Sequence, residues 1–144
     1  MKLKTKHFGE IEIDQENVIR FPNGVLGFKD MKRFIVIYNP NPELPFHWLQ
    51  SIDDGNLTFV ICSPFLFADK YEFDIPRNVE DELNLKTPED VLIYSITVIL
   101  EDMAETSINL KAPVIINTKE KRAMQIVLES EAYPVRYKIF KKEG

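Results

Sequence analysis

The residues able to carry chemistry are few, and their spacing does not suit it. The two histidines, His7 and His47, lie far apart in sequence. They form no His-x-x-x-His or His-Glu-x-x-His pattern, so a set of three or four metal ligands is hard to assemble. Ser51, Ser63, Ser95, Ser107 and Ser130 all lack the Gly-x-Ser-x-Gly elbow of a hydrolase nucleophile. The single cysteine, Cys62, stands in an apolar run and reads as a small core residue. Asp53 and Asp54 are adjacent. On a strand they would point to opposite faces, which suits no carboxylate dyad; in a turn they are ordinary turn formers. His47, between Phe46 and Trp48, reads as a half-buried structural histidine, and the aromatics beside it read as core anchors. No enzyme activity, metal or cofactor is expected.

Charge says more than the reactive residues do. The chain of 144 residues carries a formal net charge of −5, unevenly spread. Residues 69–105 hold 11 acidic and 3 basic side chains, while residues 106–144 hold 4 acidic and 8 basic. A nucleic-acid binder needs a basic face to displace counterions, so direct nucleic-acid binding is not expected. An acidic middle suits a basic protein partner. The longest apolar-rich run, residues 91–100, is too short to span a bilayer. The lysines at the N-terminus have no apolar run behind them. A soluble, cytoplasmic protein of one domain, 1–144, is the expectation.

The elements that position these residues are mostly strands. Residues 1–14 alternate and predict a hairpin around a three-residue loop at 7–9, with Gly9 left-handed. Its register would set Lys6 against Glu10, Lys4 against Glu12 and Lys2 against Asp14. Residues 18–21 and 33–38 read as strands, with a glycine-bearing compact turn at 22–28 between them. The stretch 44–64 reads as two strands hinged at Asp53-Asp54-Gly55-Asn56. Residues 64–68 fit a helical turn or a buried loop. Residues 71–75 alternate aromatic and acidic side chains and predict a half-exposed strand. Residues 78–85 predict a short helix with acidic residues near its start. Residues 91–100, 113–117, 123–128 and 133–140 complete the strands. About ten strands and one short helix predict a mainly β fold: antiparallel, barrel-like and small.

Three motifs then stand out: Phe21-Pro22-Asn23-Gly24-Val25-Leu26-Gly27-Phe28, Phe46-His47-Trp48-Leu49-Gln50-Ser51-Ile52-Asp53-Asp54 and Asn109-Leu110-Lys111-Ala112-Pro113-Val114-Ile115-Ile116-Asn117. With Gln125-Ile126-Val127-Leu128, they resemble the flagellar assembly factor FliW family in order and spacing. Departures are small: Ser107-Ile108 replaces a smaller pattern before Asn109, and Lys111 replaces a commonly apolar residue.

The resemblance implies a non-enzymatic cytoplasmic regulator on a β-barrel-like fold. Its implied partners are flagellin and, when flagellin is scarce, the RNA-binding translational repressor CsrA. A basic partner would dock on an acidic face, for which Asp69, Glu72 and Asp74 are the candidates, with Asp53 and Asp54 contributing from the turn. Phe65 and Phe67 are candidates for an apolar partner surface, although both also fit a core. The alternative is a β-barrel small-ligand carrier, which predicts an internal pocket lined by Tyr94 and Phe59.

Overall fold

A computed structural model of the chain describes residues 1–140. The last four residues of the expected domain lie outside the described part. The strands are β1 (Lys2–Thr5), β2 (Gly9–Glu12), β3 (Ile19–Arg20), β4 (Arg33–Ile37), β5 (His47–Ser51) and β6 (Thr58–Cys62). They continue with β7 (Val91–Val98), β8 (Ser107–Ile108), β9 (Val114–Asn117), β10 (Arg122–Gln125) and β11 (Tyr137–Lys138). A single α-helix among the described residues, α1 (Arg77–Glu82), precedes β7.

Seven strands close into a barrel in the order β7, β6, β5, β4, β3, β10, β9 and back to β7. The closure works because β7 is long. Its first half, Val91 to Tyr94, pairs with β9, while Thr97 and Val98 pair with β8, which in turn carries β11. One pairing departs from the antiparallel expectation: β10 runs parallel to β3, through Arg122 and Arg20. These strands are far apart in sequence, so no hairpin turn forces them antiparallel.

Alternation sorts each strand into an inside and an outside. Phe21, Phe34, Leu49, Ile61, Tyr94 and Val114 meet in one buried cluster, and Phe59 packs against it. The barrel is thus filled by side chains, as small barrels are. The cavity expected of a ligand carrier is replaced by this packing.

Two layers cover the outside. The β1–β2 hairpin lays Leu3 and Ile11 on Ile35, Ile37 and Ile52. On the opposite flank α1 lays Val79 and Leu83 on Ile115, with Ile93 and Met124 beside them. Trp48 faces outward with Gln50 and Ile52, half-buried, its ring edge-on to Phe8 at 5.3 Å.

The hairpin register differs from the expected one by two residues: Lys2 opposes Glu12, Lys4 opposes Glu10 and Thr5 opposes Gly9. Gly9 is left-handed as expected, at φ +67°. The Thr5 hydroxyl accepts from Phe8 N–H and donates to Gly9 C=O, closing the turn early. Lys6 N–H leaves the hairpin and donates to Gly55 C=O at 3.0 Å. A two-residue slip keeps each side chain on its face, so the alternation in sequence was blind to it.

Residues 71–75 form no strand. Their facing is as expected: Tyr71 is buried and Phe73 and Ile75 half-buried, while Glu72 and Asp74 are exposed. Their hydrogen bonds go elsewhere. Glu72 N–H donates to the Tyr133 hydroxyl, which donates back to Glu72 C=O at 2.9 Å. A side chain takes the place of a neighbouring strand. The strands expected at 91–100, 123–128 and 133–140 are likewise shorter, ending at Val98 and Gln125 and reduced to Tyr137–Lys138.

Candidate functional site

The turn between β5 and β6 is held by its own polar residues. Asp53 accepts from Lys32 N–H at 2.8 Å and Arg33 N–H at 3.0 Å through Oδ2, and from Arg33 Nε at 2.9 Å through Oδ1. Burial alone would raise its pKa, but these donors and the Arg33 charge outweigh burial and hold it below 3.8. Asp54 accepts from Asn56 N–H, and its own N–H donates to Ser51 Oγ. Gln50, fully buried, donates to the carbonyls of Ser51, Gly55 and Leu57 and accepts from Thr58. The Asp pair is therefore a joint between the turn and the β3–β4 connection, with Asp53 already matched by Arg33.

The other acidic candidates lie beyond the far end of β6. Asp69, Glu72 and Asp74 are all exposed, and among the described residues none is in an ion pair. Glu72 and Asp74 project outward because their neighbours are anchored inward. Tyr71 donates to Leu110 C=O at 2.6 Å and packs edge-on against Tyr133 at 4.7 Å. Burial, then the adjacent Tyr133, pushes the Tyr71 phenol far above its usual range. The segment is thus a rail with aromatic feet and free carboxylates. It belongs to a different unit from the Asp53 turn, and β6, about 16 Å long at ~3.3 Å per residue, separates the two in the chain.

The two aromatic candidates divide. Phe67 is half-buried, stacked on Phe46 with ring centroids 6.1 Å apart. Phe65, two residues earlier on a 3-10 segment started by Pro64, is 46% exposed. It lines an open groove of about 560 Å³ together with Leu44, Leu66 and Leu92, which are exposed as well. Asn39, Asn41 and Ser63 supply polar groups around it. The groove has the apolar body and scattered polar rim of a surface that accepts an apolar segment.

Two of the remaining reactive side chains, His47 and Cys62, are built into the scaffold. His47 Nδ1 accepts from Asn39 N–H at 3.0 Å and its ring meets Tyr38 edge-on, so it anchors the β4–β5 loop. Cys62 is fully buried, and burial pushes its thiol up. No group of three or more metal-ligating side chains occurs among the described residues. No described helix is long and apolar enough to cross a membrane.

A family model described as FliW protein matches residues 2–139. The chain belongs to the FliW family. A flagellar assembly factor FliW of Alkaliphilus metalliredigens is 48% identical over 142 residues, 99% of this chain and 88% of the relative. That of Caldicellulosiruptor saccharolyticus is 41% identical, covering 96% of this chain and 90% of the relative. A solved structure described as the crystal structure of the flagellar assembly factor FliW superposes with a TM-score of 0.93 at 31% identity, covering both chains in full. Its role is accordingly in flagellar assembly.

Two residues of the FliW motifs do structural work that sequence reading passed over. Asn109 Oδ1 accepts from the N–H groups of Lys111 and Ala112. Asn117, 1% exposed, donates to Leu83 C=O at 2.7 Å and Asn84 C=O at 3.2 Å, and accepts from Lys119 and Glu120 N–H. The sequence carried a usable signal: each Asn stands at a strand end beside a turn, where its side chain mimics backbone. The FliW motifs therefore identify the fold through its scaffold, while the exposed rail lies outside them and the groove meets them at His47.

Proposed function

We propose that this FliW family member binds flagellin before assembly and, when flagellin is scarce, binds and antagonises CsrA, so that flagellin level controls flagellin synthesis. It acts in the cytoplasm, by binding and not by catalysis. The observation that carries the reading is the unpaired carboxylate rail of Asp69, Glu72 and Asp74 on a chain of this family.

An RNA-binding protein is basic on its RNA face. An acidic surface docking beside that face is attracted to it and repels phosphate. Asp69, Glu72 and Asp74 supply that surface; Asp53 and Asp54, engaged in turn hydrogen bonds, contribute less. Flagellin, as an apolar segment, is assigned to the groove lined by Phe65, while Phe67 packs on Phe46 beside it in the chain.

The test is a pair of titrations with purified flagellin and purified CsrA, each repeated with the other present. Binding of both, with flagellin displacing CsrA, is the expected result. Failure of both to bind at micromolar concentration removes the reading.

A further inference from the structure

A second groove, of about 470 Å³, lies between residues 73–75, α1 and the start of β7. Phe73, Ile75, Leu85, Val91 and Ile93 line it, each only half-buried. Asp74 and Glu80 line it too, from two different elements, and neither is in an ion pair among the described residues. Lys86 lines the groove as well and is bound to neither carboxylate by an ion pair.

The backbone that carries Glu80 is fixed by the way the helix ends. Leu85 N–H donates to Glu80 C=O and Asn84 N–H to Asp81 C=O, with Asn84 left-handed at φ 54°. This is a Schellman close, and it folds Leu85 back into the apolar cluster beneath the helix. Asn117 holds the Leu83 and Asn84 carbonyls from β9. The opposite wall is fixed through Tyr71 and Tyr133. Both carboxylates are therefore carried on anchored backbone around an apolar floor.

We infer that this groove receives an arginine or lysine side chain of a protein partner. The methylene stem lies on Ile75, Val91 and Ile93, and the cation sits between Asp74 and Glu80. Long basic side chains have this divided character, apolar along the stem and charged at the tip, and a guanidinium donates to two carboxylates at once. With two carboxylates and one ammonium around the groove, an incoming cation makes the set neutral. The inference rests on the reading that the partner is a basic protein, and it moves the centre of that contact from the rail to the groove beside it.

The experiment has two arms on the full chain. The first follows the methyl resonances of Ile75, Leu85, Val91 and Ile93 during titration with N-acetyl-arginine methylamide and with its neutral citrulline counterpart. Saturable shifts with arginine, lost with citrulline and in Glu80→Gln, are expected. Absence of saturable shifts, or equal shifts with citrulline, overturns the inference.

The second arm measures CsrA affinity of Glu80→Gln and of Asp81→Asn, its exposed neighbour on α1 outside the groove. Glu80→Gln should weaken binding roughly tenfold, as loss of a charge-assisted contact does, while Asp81→Asn changes it less than about twofold. Equal effects of the two variants overturn the groove and leave the acidic-face reading standing. Arginine-specific shifts in a chain that does not bind CsrA keep the groove and remove that partner.

Discussion

Asn117 on β9 donates to the Leu83 carbonyl at 2.7 Å, and so a strand of the barrel holds the C-terminal end of α1. The same amide reaches Asn84 C=O, and its oxygen closes the β9–β10 turn through Lys119 and Glu120. Helix ends leave carbonyls without intrahelical partners. On a helix of six residues these are a large share of its bonds. Asn117→Ala strands the Leu83 carbonyl and two turn N–H groups, and should cost about 3 kcal/mol. Faster hydrogen exchange in α1 than in β4 and β5 would show that the loss is local to the helix. Uniform change across the barrel would refute it.

Asp53 gives a pH-dependent counterpart. Its folded pKa lies below 3.8, so its contribution to stability is fully present above the unfolded value. That contribution fades as pH falls through the folded pKa. Asp53→Asn should therefore cost about 1 kcal/mol at neutral pH, the exposure of the pair to water holding the figure down. Urea unfolding at about pH 7 and about pH 3 should show the gap between variant and parent shrinking in acid. A gap independent of pH would mean that the carboxylate charge plays no part.

The extent to which this was visible in the sequence follows from the range of the interactions. The two strands around Asp53 were legible because their alternation and turn chemistry are local. The short helix was legible from Val79 and Leu83 for the same reason. The Tyr133 hydroxyl serving as partner to Glu72 was not, since the two lie 61 residues apart and alternation alone cannot say what a strand-like segment pairs with. The hairpin slip was invisible because a shift of two preserves facing. Phe65 and Phe67 looked alike in sequence, and only the 3-10 turn after Pro64 separates them.

Two glycines of one motif should behave differently. Gly24 and Gly27 both have positive φ, at +68° and +85°. A methyl on Gly24 would lie 2.5 Å from the Lys29 carbonyl oxygen, whereas Gly27 faces open space. Gly27→Ala should cost about 1 kcal/mol, the price of the left-handed backbone alone. Gly24→Ala adds a backbone clash and should cost clearly more. Thermal unfolding of the two variants compares them directly, and equal midpoints would contradict the close approach.

Phe65 and Phe67 provide a test that separates folding from binding. Phe67→Ala removes a ring stacked on Phe46 and should destabilise the chain by about 3 kcal/mol. Phe65→Ala removes a ring at the groove and should cost less than about 1 kcal/mol in stability. Flagellin affinity should nevertheless fall with Phe65→Ala, measured where the variant is fully folded. If Phe65→Ala unfolds the chain as readily as Phe67→Ala, the ring belongs to the core and the groove loses its central contact.

The rail makes the last prediction. Asp69, Glu72 and Asp74 stand outward without ion pairs among the described residues, and the exposed Lys70 between them offsets only part of their charge. Reversing Asp69 and Glu72 to Lys should leave stability within about 0.5 kcal/mol, since exposed charges contribute little. CsrA affinity should fall, with most of the change in association rate, because exposed charges steer encounter. The parent complex should weaken as salt rises and the double variant, which keeps Asp74 and Glu80, should weaken less, since exposed charges more than about 10 Å apart are largely screened at ~0.1 M salt. Calorimetry across a salt series reads both effects. Equal affinity of parent and variant at low salt would exclude the rail as the docking face, even if CsrA binds.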